Sequence, residues 1–115
     1  MLARPYRLTE ESEFIKVKRK GKKYDHPLFA WIVLKRGDKE FSKFGIVVST
    51  KISKLANKRN YLRRVLSEAI RQSISTIKPG YDTVILTKTA IANKYTEEIM
   101  RGTREMLKKT GIVKE

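Results

Sequence analysis

The sequence predicts an α+β fold, a two-layer sandwich in which helices pack on one small β-sheet. At 115 residues, of which 40% are hydrophobic, the chain is long enough for one hydrophobic core, and we expect a single domain over residues 1–115. Apolar, β-branched runs alternate with stretches of helical periodicity. The order of these segments is helix, strands, helix, strand, helix.

The first half of the chain predicts a short helix and two strands. Thr9 is a candidate N-cap, and the acidic residues that follow it suit the positive end of a helix, which we expect to reach about Lys18. Residues 28–34 are rich in aromatic and β-branched types, which is typical of a buried strand. A turn is expected at residues 37–38, and residues 44–49 are expected to form the partner strand of a hairpin.

The second half predicts a long helix, a strand and a final helix. Apolar residues recur at i, i+3 and i+4 spacing over residues 58–77, which predicts an amphipathic helix with a core-facing stripe. The Pro-Gly pair at residues 79–80 ends this pattern. The run Tyr81–Thr87 predicts a strand, and residues 96–110 predict a helix that Gly111 ends.

The charge balance indicates a polyanionic partner. Twenty-seven Lys and Arg residues face twelve Asp and Glu residues, which gives a net charge of +15 and a pI near 10.2. Self-repulsion of this size costs stability, so a nucleic-acid partner is favoured over a supercharged protein that has none. The longest apolar run has seven residues, whereas a membrane span needs about 20. With no signal-peptide pattern and no cysteine, we expect a cytoplasmic location.

Residues 51–71 concentrate the positive charge, with seven basic residues and one acid, Glu68. At ~100° per residue, one polar sector of the long helix lies beside the apolar stripe. The sector consists of Asn60, Arg63, Arg64, Ser67 and Arg71. Guanidinium groups bind phosphates through paired donors, and Asn offers a donor and an acceptor to sugars or bases. A solvated face normally mixes signs to form i, i+4 pairs, so this face predicts nucleic-acid contact.

This segment resembles the Arg-Asn-Arg motif of the bacterial ribonuclease P protein family. The matching residues are Lys58-Arg59-Asn60-Tyr61-Leu62-Arg63-Arg64, in which Arg63-Arg64 corresponds to the basic pair that follows the family motif. Other segments are similar to the family in the same order, so that the resemblance covers nearly the whole chain. They are Arg7-Leu8 with Glu13-Phe14 and Gly21, residues 44–49 with Lys51, and Tyr81-Asp82.

The resemblance implies a fold and an RNA-binding surface. The implied element order is α-β-β-β-α-β-α, in a ribosomal protein S5 domain 2-like fold with a left-handed βαβ crossover, against the general preference. The implied function is that of the protein subunit of the endoribonuclease that matures tRNA 5′ ends. The residues expected to bind its catalytic RNA are Lys51, Lys54, Lys58, Arg59, Asn60, Arg63, Arg64 and Arg71.

The resemblance also implies a cleft between the sheet and the long helix for the single-stranded 5′ leader of precursor tRNA. The residues expected to contact the leader are Phe14, Lys18, Phe29 and Trp31. Phe29 and Trp31 alternate along one strand, so one sheet face presents both rings, and bases stack on such rings. The alternative is that the aromatic residues belong to the core, which is favoured for Trp31. The six basic residues within residues 16–23 either track phosphates or form a solvated turn.

The chain departs from the family pattern around the motif. Tyr61 stands where the second arginine of the motif is usual, and Ser67 stands where a further basic residue is common. The loop before the motif lacks the usual glycine. Tyr61 is expected either to stack on a base or to pack against the sheet, and the sequence leaves both open.

The sequence contains no constellation typical of a protein active site. His26 has no nucleophile or carboxylate at a catalytic spacing, and we expect it to be a surface or hydrogen-bonded residue. Asp25, Asp38 and Asp82 are scattered, so a two-metal carboxylate cluster is not indicated. The resemblance implies that the RNA subunit carries out the hydrolysis with Mg²⁺ that is bound mainly by RNA. The implied partners are ribonuclease P RNA and precursor tRNA, with no membrane and no obligatory protein partner.

Two other functions fit the composition. One is a non-enzymatic ribosomal protein that binds ribosomal RNA, since such proteins share this size and charge. The other is a DNA-binding module whose basic helix enters the major groove. The DNA-binding alternative is weaker, because the helix is expected to be committed to the core on one side.

Overall fold

The structure, a computed structural model, describes residues 2–114. Their helices and strands follow the order α-β-β-β-α-β-α that the resemblance implies. The elements are α1 (Glu11–Lys20), β1 (Lys22–Asp25), β2 (Phe29–Lys35), β3 (Lys43–Val47), α2 (Ala56–Gln72), β4 (Tyr81–Thr87) and α3 (Thr96–Lys109). Short 3-10 turns occur at Arg4–Tyr6, Ile74–Thr76 and Thr89–Asn93.

The four strands form one mixed sheet in the order β1-β2-β4-β3. Strand β2 pairs antiparallel with β1 and with β4, and β3 pairs parallel with β4. The predicted hairpin between residues 28–34 and 44–49 is therefore wrong, because β4 lies between the two strands. Residues 82–85 of β4 are all buried, as expected for a strand with a neighbour on each edge and packing on each face.

Strand β1 was not predicted from residue patterns, because its sequence is polar. It pairs through Lys22 with Val33 and through Tyr24 with Trp31, at the outer edge of the sheet. Its residues are exposed except for the half-buried Tyr24. Lysine side chains on an edge strand are a common protection against pairing with other chains. The basic segment at residues 16–23 therefore spans the end of α1 and the start of this edge strand.

Both faces of the sheet are covered, by different helices. On one face, Phe29, Trp31 and Ile85 belong to the main core, together with buried residues of α2 and α3. On the other face, Ile32 and Val84 pack with Val17 of α1 in a second cluster. The predicted two-layer sandwich is therefore corrected, because α1 lies on the face opposite α2 and α3. Central strands that are apolar on both faces need a cover on each.

Helix α2 is placed by its apolar stripe, as the periodicity predicts. Its buried residues are Leu62, Val65, Leu66, Ser67, Ala69 and Ile70. The helix begins at Ala56 and ends at Gln72, and a 3-10 turn takes the place of the last predicted turn. The loop after β3 leads into the start of α2, so the basic residues of its first turns lie at the carboxyl end of β3. No helix of the described residues has the length and apolarity needed to cross a membrane.

Candidate nucleic-acid interface

The residues that match the family motif lie on the first two turns of α2, on the side away from its buried stripe. We call Arg59, Asn60, Arg63 and Arg64 the motif face. Asn60 and Arg64 are exposed, while Arg59 and Arg63 are half-buried. Leu62 and Val65 of the same turns are buried in the core. The predicted polar sector is therefore confirmed for Asn60, Arg63 and Arg64, but Ser67, which was predicted to share it, is buried.

Two arginines of the motif face are held by hydrogen bonds to the protein. Arg59 donates from Nη1 to the backbone oxygen of Ser53, at 2.8 Å. Arg63 donates from Nη1 to Oδ1 of Asn60, at 2.7 Å, and from Nη2 to the backbone oxygen of Val48, at 3.4 Å. Each guanidinium has five N–H donors, so donors are left over for another acceptor. These contacts orient the side chains without neutralising them.

In the described part of the chain, carboxylates do not neutralise the motif face. Among residues 2–114, no ion pair joins Arg59, Arg63 or Arg64 to an acid. Arg71 differs, because it pairs with Glu68 through Nε at 2.9 Å and Nη2 at 2.5 Å. Hydrogen bonding to Arg71 lowers the pKa of Glu68, so this acid stays ionised. Arg71 is exposed, but Glu68 already balances its charge, which distinguishes it from the other predicted RNA-binding arginines.

The lysines predicted to extend the surface lie along the loop before α2 and on its first turn. Lys51 and Lys54 are exposed, and Lys58 is half-buried. In the part of the chain that the structure describes, none of the three forms an ion pair with an acid. They continue the positive charge of the motif face toward β3.

Tyr61 does not pack against the sheet. Its side chain is 38% exposed, and its hydroxyl contacts the hydroxyl of Thr96 at the start of α3. The prediction that Tyr61 packs against the sheet is therefore wrong, because its side chain links α2 to α3. Stacking of a base on its exposed part stays a prediction.

A small cavity of about 150 Å³ joins the motif face to the N-terminal segment and α1. Arg7, Arg63 and Ser67 supply its polar lining, and Phe14 is among its apolar walls. The Nε of Arg7 is buried with no partner within the described residues. Sequence reasoning gave Arg7 no role, because it lies in an extended segment whose position depends on a β-bridge to Phe44.

Phe14 lies directly against β3. A Cβ atom at Gly45 would be 2.3 Å from Cε1 and 2.5 Å from Cζ of the Phe14 ring, so only glycine allows this approach. Phe14 is half-buried, and Lys18, one turn later on α1, is exposed. The half-buried Leu34, Val47 and Leu86 pack, like Phe14, against the second cluster on this face of the sheet. We call the surface formed by Phe14, Lys18, Leu34, Val47 and Leu86 the α1 face.

Phe29 and Trp31 are not available to a leader strand. Both have no exposed surface, and both lie in the core between the sheet and helices α2 and α3. Their rings meet edge to face, with centroids 5.8 Å apart. The prediction that they contact the leader is wrong, and so is the predicted cleft between the sheet and the long helix, because that space is filled by core side chains. Of the four predicted leader contacts, the structure brings together Phe14 and Lys18.

His26 has a structural environment. Its Nδ1 accepts a hydrogen bond from the backbone N–H of Leu28 at 3.1 Å, and its ring packs on Phe29. Burial lowers the pKa of His26, against an opposing effect of Glu105. Within residues 2–114, no group of three or more His, Asp or Glu residues could hold a metal ion.

The α+β architecture, together with arginines that no acid among the described residues neutralises, is typical of a small basic RNA-binding protein. Residues 2–111 match the family model described as Ribonuclease P. The chain belongs to the ribonuclease P protein family. It is accordingly a subunit of the tRNA-processing endoribonuclease, and its family implies partnership with ribonuclease P RNA. The alternative of a ribosomal protein is set aside.

Relatives of known sequence and structure agree with this assignment. The chain is 34% identical over 106 residues to the ribonuclease P protein component of Clostridioides difficile (strain 630), covering 91% of each chain. It is 36% identical over 94 residues to that of Pseudanabaena sp. (strain PCC 6903), covering 82% of this chain and 80% of the relative.

Two solved structures share the fold. The RNase P protein of Staphylococcus aureus matches with a TM-score of 0.87 at 21% identity, over 94% of this chain and 97% of that one. The RNase P protein of Thermotoga maritima matches with a TM-score of 0.80 at 25% identity, over 90% and 96%. The first of these, at its low identity, is evidence for the fold alone.

Proposed function

We propose that the protein binds ribonuclease P RNA through its motif face and the 5′ leader of precursor tRNA along its α1 face, and so assists cleavage at the tRNA 5′ end. The observation that carries the proposal is that Arg59, Arg63 and Arg64 are accessible and unpaired with acids among the described residues. Lys51, Lys54 and Lys58 extend this contact, and Asn60 adds a polar group. Arg71 contributes less, because Glu68 balances its charge.

The α1 face is the surface that suits a single-stranded RNA segment such as the 5′ leader. Phe14 is half-buried, and it packs against the same cluster as the half-buried Val47 and Leu86, which are register partners on adjacent strands. Lys18 and the basic residues after it supply positive charge for phosphates. Bases stack on such rings regardless of sequence, while cations follow the backbone. The leader site proposed here therefore differs from the one expected from sequence, and it excludes Phe29 and Trp31.

In this proposal the RNA subunit performs the hydrolysis, with Mg²⁺ held mainly by RNA. The protein offsets phosphate repulsion between the two RNAs and keeps the leader in place. This division of labour takes its support from the family and from the protein's charge of +15. We also propose a cytoplasmic location and precursor tRNA as the substrate.

The parallel strands β3 and β4 are joined through α2, so they form a βαβ unit. We propose that its crossover is left-handed, as the resemblance to the ribosomal protein S5 domain 2-like fold implies. A crossover of this hand is uncommon in parallel βαβ units.

The test is cleavage of precursor tRNA by a bacterial ribonuclease P RNA at low Mg²⁺, with and without the protein. We expect the wild-type chain to raise the cleavage rate, and we expect Arg59→Ala/Arg63→Ala/Arg64→Ala to lose most of that effect. A matched control removes the same charge from α3, with Arg101→Ala/Arg104→Ala/Lys108→Ala. Arg101 and Arg104 each lie within 4.0 Å of a carboxylate, so the control is expected to keep the wild-type effect.

Equal loss in the two triple variants would reject the motif face, and no rise in cleavage with the wild-type chain would reject the proposed function. The leader contact is tested by comparing affinities for tRNA with and without its leader. Phe14→Ala is expected to reduce the preference for the leader-bearing form. An unchanged preference would contradict the α1 face as the leader site.

A further inference from the structure

A large aromatic side chain projects into solvent outside the motif face, in the loop before β3. Phe41, just before β3, is 57% exposed. The hollow beside it is also lined by Ile74 and Ser75, which follow the C-terminal end of α2. The motif face begins near the other end of this helix, which has 17 residues. Gln72 lies 8–13 residues after the residues of the motif face, so at ~1.5 Å per residue the end of α2 is about 12–20 Å from the motif face along the helix.

The loop that carries Phe41 is held in place by Arg36. This guanidinium donates from Nη2 to the backbone oxygens of Glu40, at 3.1 Å, and Phe41, at 2.9 Å. It also pairs with Asp38 and with Asp82 of β4. These carboxylates raise the pKa of Arg36 although burial acts in the opposite direction. The largely buried ion pair between Arg36 and Asp82 therefore holds this loop in place. The exposure of Phe41 is a feature of the fold and not of a frayed loop.

Phe41 is paired with a second ring and flanked by concave surface. The centroid of Tyr6 lies 4.9 Å from that of Phe41, with an angle of 45° between the planes. A hollow of about 410 Å³ lies on one side, beside Pro5, and one of about 400 Å³ lies on the other, beside Ile77 and Pro79. Each hollow is large enough for a planar heterocycle laid against the Phe41 ring.

The charge around this ring pair favours a nucleotide. Lys39 lines both hollows and forms no ion pair within residues 2–114. Lys43 also lines one hollow, and its Nζ lies 3.8 Å from Oε2 of Glu13. Glu40 is the one acid in the lining of these two hollows. A second copy of the chain would bring another +15 charge to the same place. A flat base with an anionic backbone satisfies both the apolar rings and the lysines.

We propose that Phe41 and Tyr6 form a second RNA contact, a stacking site for one unpaired nucleotide with Lys39 beside its phosphate. The proposal rests on the proposed function in one respect, since its partner is the same RNA. It adds a contact outside the motif face, near the C-terminal end of α2. The protein then holds the RNA at two ends of α2, and the orientation of the chain on the RNA becomes fixed.

The experiment measures the affinity of the full chain for a bacterial ribonuclease P RNA at several salt concentrations. Phe41→Ala is expected to weaken binding about 5-fold to 100-fold, the range for one stacked base, with an unchanged salt slope because the ring is uncharged. Phe41→Trp is expected to bind within about twofold of wild type. Lys39→Ala is expected to lower the slope by about 0.7–0.9, as expected for one lost phosphate contact.

The control variant is Tyr95→Ala, which removes another exposed aromatic ring, 80% exposed, at the start of α3. We expect it to bind like wild type. Ultraviolet crosslinking of the wild-type chain to the same RNA gives a readout that does not depend on a variant folding. A crosslinked peptide that contains Phe41 or Tyr6 is expected.

Three results would overturn the stacking site. They are Phe41→Ala within twofold of wild type, Phe41→Trp as weak as Phe41→Ala, or crosslinks that fall on α2 and not on this loop. A dimer in sedimentation that Phe41→Ala abolishes would also overturn it, in favour of a second copy. If the triple arginine variant keeps full RNA affinity, the proposed function fails. If that variant binds weakly while Phe41→Ala binds normally, only the second contact fails.

Discussion

Gly45→Ala tests how the α1 face is built. The new Cβ would lie 2.3 Å from Cε1 of Phe14, about 1 Å inside the ~3.5 Å at which carbon atoms normally meet. The ring must shift or β3 must move, and overpacking of this kind destabilises by about 1–3 kcal/mol. The 3.3 Å approach to Cβ of Leu8 needs a much smaller adjustment. We therefore expect a loss of about 2 kcal/mol in the free energy of unfolding.

The assay is a double-mutant cycle in urea. In a Phe14→Ala background the clash is absent, so Gly45→Ala is expected to change stability by less than about 0.5 kcal/mol. The same displaced ring is expected to weaken the preference for leader-bearing tRNA in the single variant. An equal loss of stability in both backgrounds would refute the reasoning, because the loss would then come from β3 itself and not from contact with Phe14.

The side chains of Asp82, His26 and Trp31 each stabilise the fold in a way that a substitution can test. Asp82→Asn leaves Arg36 without its β4 partner, and since these side chains are only 11% and 17% exposed, unfolding by urea is expected to show a loss of about 3 kcal/mol. Because burial lowers the pKa of His26, stability is expected to hold above pH ~6.5 and to fall as the pH drops toward the folded-state value. His26→Asn should flatten this part of the pH profile, and an unchanged profile would assign the effect to other groups. Because Trp31 is fully buried, Trp31→Phe should lower the unfolding midpoint without changing the affinity for the leader. A loss of leader affinity alone would instead support a direct contact between Trp31 and the leader.

Elements with strong periodicity could be predicted from the sequence. Strand β4 has the bounds expected from its residues, and α3 ends within one residue of the expected position. Strand β1 was missed because an edge strand buries too little to need apolar residues. The pairing of β2 with β3 was wrong because a turn at residues 37–38 suggests a hairpin locally. Strand β4 lies between β2 and β3 because it is buried on both faces, which a local turn signal does not reveal.

The RNA-binding arginines and the leader contacts also differed in how far they could be predicted from the sequence. The arginines of the motif face could be placed because helical geometry fixes their angle to a visible apolar stripe. Strand alternation predicts that Phe29 and Trp31 share a face, which they do, but alternation does not say which helices cover that face. The contact between Phe14 and Gly45 could not be derived, because it joins residues 31 positions apart that meet only through the position of α1.

The most direct test of the central claim is the salt dependence of affinity for ribonuclease P RNA, measured for three proteins. These are the wild-type chain, Arg59→Ala/Arg63→Ala/Arg64→Ala, and the α3 control Arg101→Ala/Arg104→Ala/Lys108→Ala, with folding of each checked by its unfolding midpoint. If the motif face meets phosphates, the arginine variant loses about 2 units of slope while the control stays near wild type. Slopes that fall equally in both variants, or in neither, would contradict the account.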